Sequence, residues 1–144
     1  MRHALALASR GEAHDEVPVG CIIVRDQAVI GEGWNRPISS NDPTAHAEII
    51  ALRTAAQNRG NYRLTGATLY VTLEPCLMCA GAMVHARIAR LVFGASDPKR
   101  DIAQGVAQVF ESQGLNHRVE VCGGVLENDC VVRLKTFFQT RRRQ

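Results

Sequence analysis

The chain has 144 residues, 46% of them hydrophobic and 22% charged, with a formal net charge of +3. That is ordinary for a soluble globular protein and long enough for a real core, so a single domain over residues 1–144 is expected. No apolar run reaches the length of a membrane span, and five cysteines without a secretory signal favour reduced thiols, some on metal, over a disulfide framework.

The first segment, from Met1 to Arg10, carries apolar spacing at Ala4, Leu5 and Ala8 and predicts a helix. As a signal peptide it fails, because Arg10, Glu12 and Asp15 interrupt the apolar stretch, so a cytoplasmic protein is expected. Val17 to Val24 is a continuous apolar run with β-branched residues, which predicts a central strand buried on both faces. After a turn at Arg25-Asp26-Gln27, Ala28 to Trp34 returns as its antiparallel hairpin partner. Asp42-Pro43 predicts the start of a second helix, with Asp as N-cap, Pro at the first helical position, and Ala45, Ile49, Leu52 and Ala56 as the apolar stripe before Gly60. Ala67 to Leu73 predicts a third strand, Cys79 to Arg87 a short helix and Ile88 to Gly94 a fourth strand. Residues 95–115 read as a loop with one short helix, and Val119 to Cys122 as a fifth strand. Leu126 to Arg141 closes the chain as a helix with Cys130, Leu134, Phe137 and Phe138 inward. An opening hairpin followed by alternating helices and strands gives an α/β fold, a mixed five-stranded sheet covered by helices on both faces.

Two motifs carry chemistry. His46-Ala47-Glu48 lies at the start of the predicted second helix, and Pro75-Cys76-Leu77-Met78-Cys79 follows the third strand. Two thiolates spaced Cys-x-x-Cys converge on one zinc ion at a helix start, where the thiolate form is favoured. His46 adds a neutral nitrogen. Three protein ligands leave a fourth tetrahedral position for water, the mark of a catalytic zinc. Glu48 is placed to take and deliver that water's proton: His46 and Glu48 share a site only within a helix's first turn, and a start at Asp42-Pro43 is expected to place them there. A redox-active pair remains an alternative. So does a structural zinc, with His85, Cys21, Cys122 or Cys130 as fourth ligand.

The basic residues are nearly all arginine: only Lys99 and Lys135 are lysines among 17 cations. Arginine's fork suits phosphate. The closing run Arg141-Arg142-Arg143 is either a solvated helix end or a nucleic-acid contact.

His46-x-Glu48 followed by Pro75-Cys76-x-x-Cys79 resembles the cytidine deaminase superfamily, whose zinc deaminases are known by this signature. More closely, the chain is similar to the bacterial tRNA-specific adenosine deaminases through Val17-Pro18-Val19-Gly20, Gly33-Trp34-Asn35-Arg36, Pro43 to Glu48, and Thr72 to Ala82. His85 to Ile88, Phe93-Gly94-Ala95, Leu115-Asn116-His117 and Phe137-Phe138 continue the likeness. The resemblance implies a three-layer α/β/α cytidine-deaminase-like fold and one zinc per subunit. It implies deamination of adenosine to inosine at the wobble position of a tRNA anticodon, chiefly an arginine tRNA. In that reaction a zinc-activated water attacks C6, while Glu48 protonates N1 and helps ammonia leave. Asn35 and Asp97 would contact the target nucleotide. Phe138, Arg141 and Arg142 would meet the RNA, and the chain would be a homodimer.

The likeness falters at Arg100 to Val106, where relatives carry a glycine-rich loop, which favours slightly the alternative of a free guanine or cytosine-type substrate. A non-catalytic zinc module that binds RNA is a third reading, against which Glu48 argues. Glu74 is expected to be held by backbone amides, His85 and Trp34 to be structural, Phe137 to be core, and Cys21, Cys122 and Cys130 to be small core residues.

Overall fold

A computed structural model describes residues 1–97, 99, 105–111 and 114–144. Among the described residues the elements run in order α1 (Arg2–Ala13), β1 (Gly20–Arg25), β2 (Ala28–Trp34), α2 (Ala47–Arg59), β3 (Thr68–Leu73), α3 (Leu77–His85), β4 (Arg90–Ala95), α4 (Val106–Glu111), β5 (Glu120–Cys122) and α5 (Glu127–Arg142). The strands form one mixed sheet in the order β2-β1-β3-β4-β5. β1 pairs antiparallel with β2 and β3, and the β3-β4-β5 half is parallel. The fold is the expected three-layer α/β/α arrangement.

Strand alternation sorts the core into two faces. Cys21, Ile23, Leu69, Val71, Leu91 and Phe93 form one apolar cluster with residues of α2, α3 and α4. On the other face α1 and α5 lie side by side, tied by Arg133 Nη1 donating to Glu12 Oε2 at 3.1 Å. With both faces covered, the interior strands have no polar side to show, which is why β1 reads as an unbroken apolar run. The hairpin turn is Asp26-Gln27, at φ 50° and 63°, the paired positive values of a type I′ turn reached here without glycine.

The helix predicted from Asp42-Pro43 begins later. Asp42 Oδ1 accepts the Thr44 N–H at 2.8 Å and the Thr44 hydroxyl at 2.7 Å, closing a local turn instead of capping a helix. His46 is the N-cap, in extended backbone at φ −69° and ψ 155°, and α2 starts at Ala47. Its inner stripe is therefore Ala47, Ile49, Ala51, Leu52 and Ala55 rather than one ending at Ala56. This later start is what puts His46 and Glu48 inside a first turn. α3 likewise begins two residues before the expected Cys79, with Cys76 as its N-cap. Along α5, Cys130 and Phe137 are buried as expected, but Phe138 points outward and is 45% exposed.

Topology makes one end of the sheet special. The carboxyl ends of the parallel β3 and β4 lie beside the start of β1 and the end of β2, since Gly20 pairs with Trp34 and its N–H donates to Thr72 Oγ1 at 3.2 Å. Chain leaving β2, β3 and β4 there contributes Asn35, Glu74, Cys76 and Asp97 to one crevice, the usual place for a ligand in such a sheet.

Candidate active site

Two helix N-termini meet in this crevice. His46 caps α2 and Cys76 caps α3, both in extended backbone, and Cys79 lies in the first turn of α3. His46 Nδ1 is 3.5 Å from Cys76 Sγ and 3.6 Å from Cys79 Sγ, and the three donor atoms all lie within 4.8 Å of one another. A tetrahedral zinc with ordinary Zn–N and Zn–S bonds sets its nitrogen and sulfur ligands about 3.6 Å apart. Both nitrogen–sulfur separations match that ion. Among the described residues no fourth His, Cys, Asp or Glu joins the group, which removes His85, Cys21, Cys122 and Cys130 as structural ligands.

The electrostatics suit a cation. The Cys76 thiol is pulled down to about 3, first by its hydrogen bond with Cys79 and then by His46, against the effect of burial. A lowered thiol favours the thiolate, the form that binds metal. Its partner Cys79 is pushed up by the same bond and by burial. The Cys76 contact also raises the His46 imidazole. Glu48 is 3% exposed, and burial lifts its carboxyl above the usual range, toward a proton affinity useful to a general acid–base.

A cavity of about 170 Å³ opens onto the cluster. Val17, Val19 and Leu73 give it apolar walls, and Asn35, Glu74 and Asp97 join His46, Glu48 and Cys76 as its polar groups. It is smaller than the ~300 Å³ where pockets for drug-sized ligands begin, and so fits a flat base rather than a whole nucleotide. Asn35 Oδ1 accepts the Ala47 N–H at 3.0 Å, which fixes its amide plane and aligns the first turn of α2.

The family model of the cytidine and deoxycytidylate deaminase zinc-binding region matches residues 1–95, which include all three candidate ligands and Glu48. A tRNA-specific adenosine deaminase of Haemophilus influenzae is 56% identical over 145 aligned residues, covering 100% of this chain and 84% of that protein. The chain belongs to the tRNA-specific adenosine deaminase family. A solved structure from studies of A-to-I editing by tRNA:A34 deaminases is 43% identical, with TM-score 0.87 over 93% of this chain and 97% of that one. A guanine deaminase of Bacillus subtilis is 42% identical with TM-score 0.63, but covers 66% of this chain and 61% of that one.

Within this deaminase, the remaining expectations divide. Asn35 and Asp97 come together at the cavity, whereas Phe138, Arg141 and Arg142 lie on α5 and do not line it. Arg141 Nη2 donates to the Asp15 carbonyl at 2.8 Å and to Asp15 Oδ1 at 3.2 Å, and its guanidinium covers the Phe137 ring at 5.1 Å. Glu74 is held by amides as expected. Trp34 packs between Arg10 and Arg36, with guanidinium carbons 5.7 and 4.9 Å from its ring. Cys21 and Cys130 are buried, and Cys122 is half-buried. Of the atypical stretch 100–106, residues 100–104 lie outside the described residues.

Glu16 has a positioning role that its place in the sequence does not announce. Its carboxylate is 1% exposed and Oε1 accepts the Ser39 N–H at 2.7 Å, anchoring the loop between β2 and α2 that delivers His46. The available signal was an acidic residue directly before a wholly apolar strand. Val17, Val19 and Leu73 left none, because a pocket wall and a core residue look alike in sequence.

Proposed function

We propose that this single-domain chain, residues 1–144, converts adenosine to inosine at the wobble position of a tRNA anticodon, an arginine tRNA above all. His46 through Nδ1, Cys76 and Cys79 hold one zinc ion. Zinc held by these residues would supply Lewis-acid activation of a water nucleophile near neutral pH. Glu48 accepts the proton of the water that adds to C6 of adenine and delivers it to N1. The same carboxylate then takes the proton of the new C6 hydroxyl and moves it to the amino group, which departs as ammonia and leaves the C6 carbonyl of inosine. Burial serves this shuttle by raising the carboxyl's proton affinity.

Asn35, with its oxygen fixed by Ala47, presents its Nδ2 to the nucleotide, and Asp97 meets it from beyond the end of β4. A cavity sized for one base requires a base already out of its stack, and an anticodon loop offers one at low cost. Phe138, Arg141 and Arg142 form the RNA-facing end of α5, where exposed arginine suits phosphate. The chain works in the cytoplasm as a homodimer.

The observation that carries the choice of substrate is identity held over the whole extent of the match. The tRNA:A34 deaminase structure aligns over 93% of this chain at 43% identity, whereas the guanine deaminase of Bacillus subtilis aligns over 66% and that of Nitrosomonas europaea, over 94%, is 22% identical. The test is incubation of the zinc-loaded protein with an arginine-tRNA anticodon stem-loop and, separately, with guanine, cytosine and adenosine, reading inosine by mass spectrometry and ammonia by assay. Inosine in the stem-loop is expected. Ammonia from free guanine with an untouched stem-loop would overturn the proposal.

A further inference from the structure

Glu74 is the buried acid of the cavity that the chemistry above does not use. It is 8% exposed and lines the cavity beside Asp97. Oε1 accepts the Asp97 N–H at 3.1 Å, and Oε2 accepts the Val106 N–H at 2.8 Å. Its own N–H donates to the Ala95 carbonyl at 2.8 Å, fixing it to the end of β4. One carboxylate therefore gathers both ends of the segment 97–106. Asp97 in turn is oriented locally, its Oδ1 accepting the Lys99 N–H at 3.0 Å.

We propose that Glu74 is a positioning residue, which sets the height of Asp97 against the bound nucleotide by clasping the two ends of this segment. The proposal rests on the nucleotide substrate argued above. Both Glu74 oxygens are occupied as acceptors, so Glu74 is not a second proton carrier beside Glu48. The clasp needs two acceptors on one planar group. Glutamine keeps the shape but offers one oxygen and one NH₂, so a donor meets either the Asp97 or the Val106 N–H and that bond is lost. Aspartate keeps the charge but falls short by one methylene.

The test compares zinc-loaded wild type, Glu74→Gln and Glu74→Asp on the anticodon stem-loop. KM should rise about tenfold in Glu74→Gln, the size of one lost charge-assisted hydrogen bond, while kcat stays within about threefold and zinc content is unchanged. In an Asp97→Ala background the same change should add less than about threefold to KM, because the residue it acts through is gone. A fall in kcat at unchanged KM, or full additivity with Asp97→Ala, would overturn the proposal. Amide hydrogen exchange of substrate-free, zinc-loaded protein gives a readout independent of substrate. The Asp97 and Val106 amides should exchange at least about tenfold faster in Glu74→Gln. Unchanged protection would also overturn the proposal. A wild type inactive on the stem-loop, with both amides protected through Glu74, would overturn the RNA reading alone and leave the clasp standing.

Discussion

Replacing Gly33 by alanine is a sharp test of how the fold sets the chemistry. Gly33 lies on β2 under the first turn of α2. A Cβ built there falls 2.4 Å from the Ala47 carbonyl oxygen, 2.8 Å from the Ala51 nitrogen and 2.9 Å from the Ile50 Cβ. Its backbone φ is not in the left-handed region, so the conflict is steric and not conformational. To open the closest contact to 3.0 Å, the helix must retreat by about 0.6 Å. The push lands on Ala47, between His46 and Glu48. Overpacking of this kind costs about 1–3 kcal/mol of stability. A misplacement near 1 Å at a catalytic group costs about 100-fold in rate, so a shift of this size should lower kcat by roughly 10- to 100-fold.

Gly31 supplies the control. It lies on the same strand face, and its Cβ would meet the Ala51 oxygen at 2.4 Å, one turn deeper in the helix. Gly31→Ala should destabilise by a similar ~1–3 kcal/mol while lowering kcat less than about threefold. Urea unfolding gives the stabilities, and single-turnover deamination by metal-checked protein gives the rates. If Gly33→Ala keeps the wild-type kcat, or if both variants lose activity equally, the claim that β2 sets the height of the catalytic turn is wrong.

Glu48→Gln should keep one zinc per chain and bind the stem-loop as wild type does, yet lose turnover by several orders of magnitude; metal analysis with single-turnover kinetics checks it, and retained turnover would remove Glu48 from the proton shuttle. Chelation should abolish activity, and added zinc should restore it, with His46→Ala unable to recover. Removing residues 142–144 should weaken stem-loop binding and flatten its dependence on salt, because exposed arginine at the end of α5 would no longer release counterions from phosphate; an unchanged slope would assign that end to structure. Thr44→Val should raise the Asp42 pKa toward 3.8, since the Thr44 hydroxyl is the main group holding it down. Any stability Asp42 lends the turn before His46 is present above its ordinary value and lost as pH falls through the lowered one; an NMR carboxyl titration follows the shift.

Much of this protein is legible along the chain because the relevant signals are local. The apolar run of β1 announces a sheet covered on both faces, β2 follows from its turn, and Cys76-x-x-Cys79 with His46 announces a zinc set whose spacing is a property of short peptides at helix starts. The likeness to deaminases is likewise carried by contiguous residues. Where α2 begins was not legible. Asp42 and Pro43 have the composition of a helix start, and only the Thr44 contacts and the Asn35 cap, one of them reaching across twelve positions, move the start to Ala47. The base-sized cavity was not legible either, since it is walled by ends of β1, β2, β3 and β4 that the sheet order alone makes neighbours. Sequence thus determined which groups could do the chemistry, because ligand type and local spacing are written residue by residue. Tertiary structure decided where those groups stand relative to one another and to Glu74, because a distance between Nδ1 and Sγ, or a carboxylate shared by two distant amides, exists only after the strands have paired.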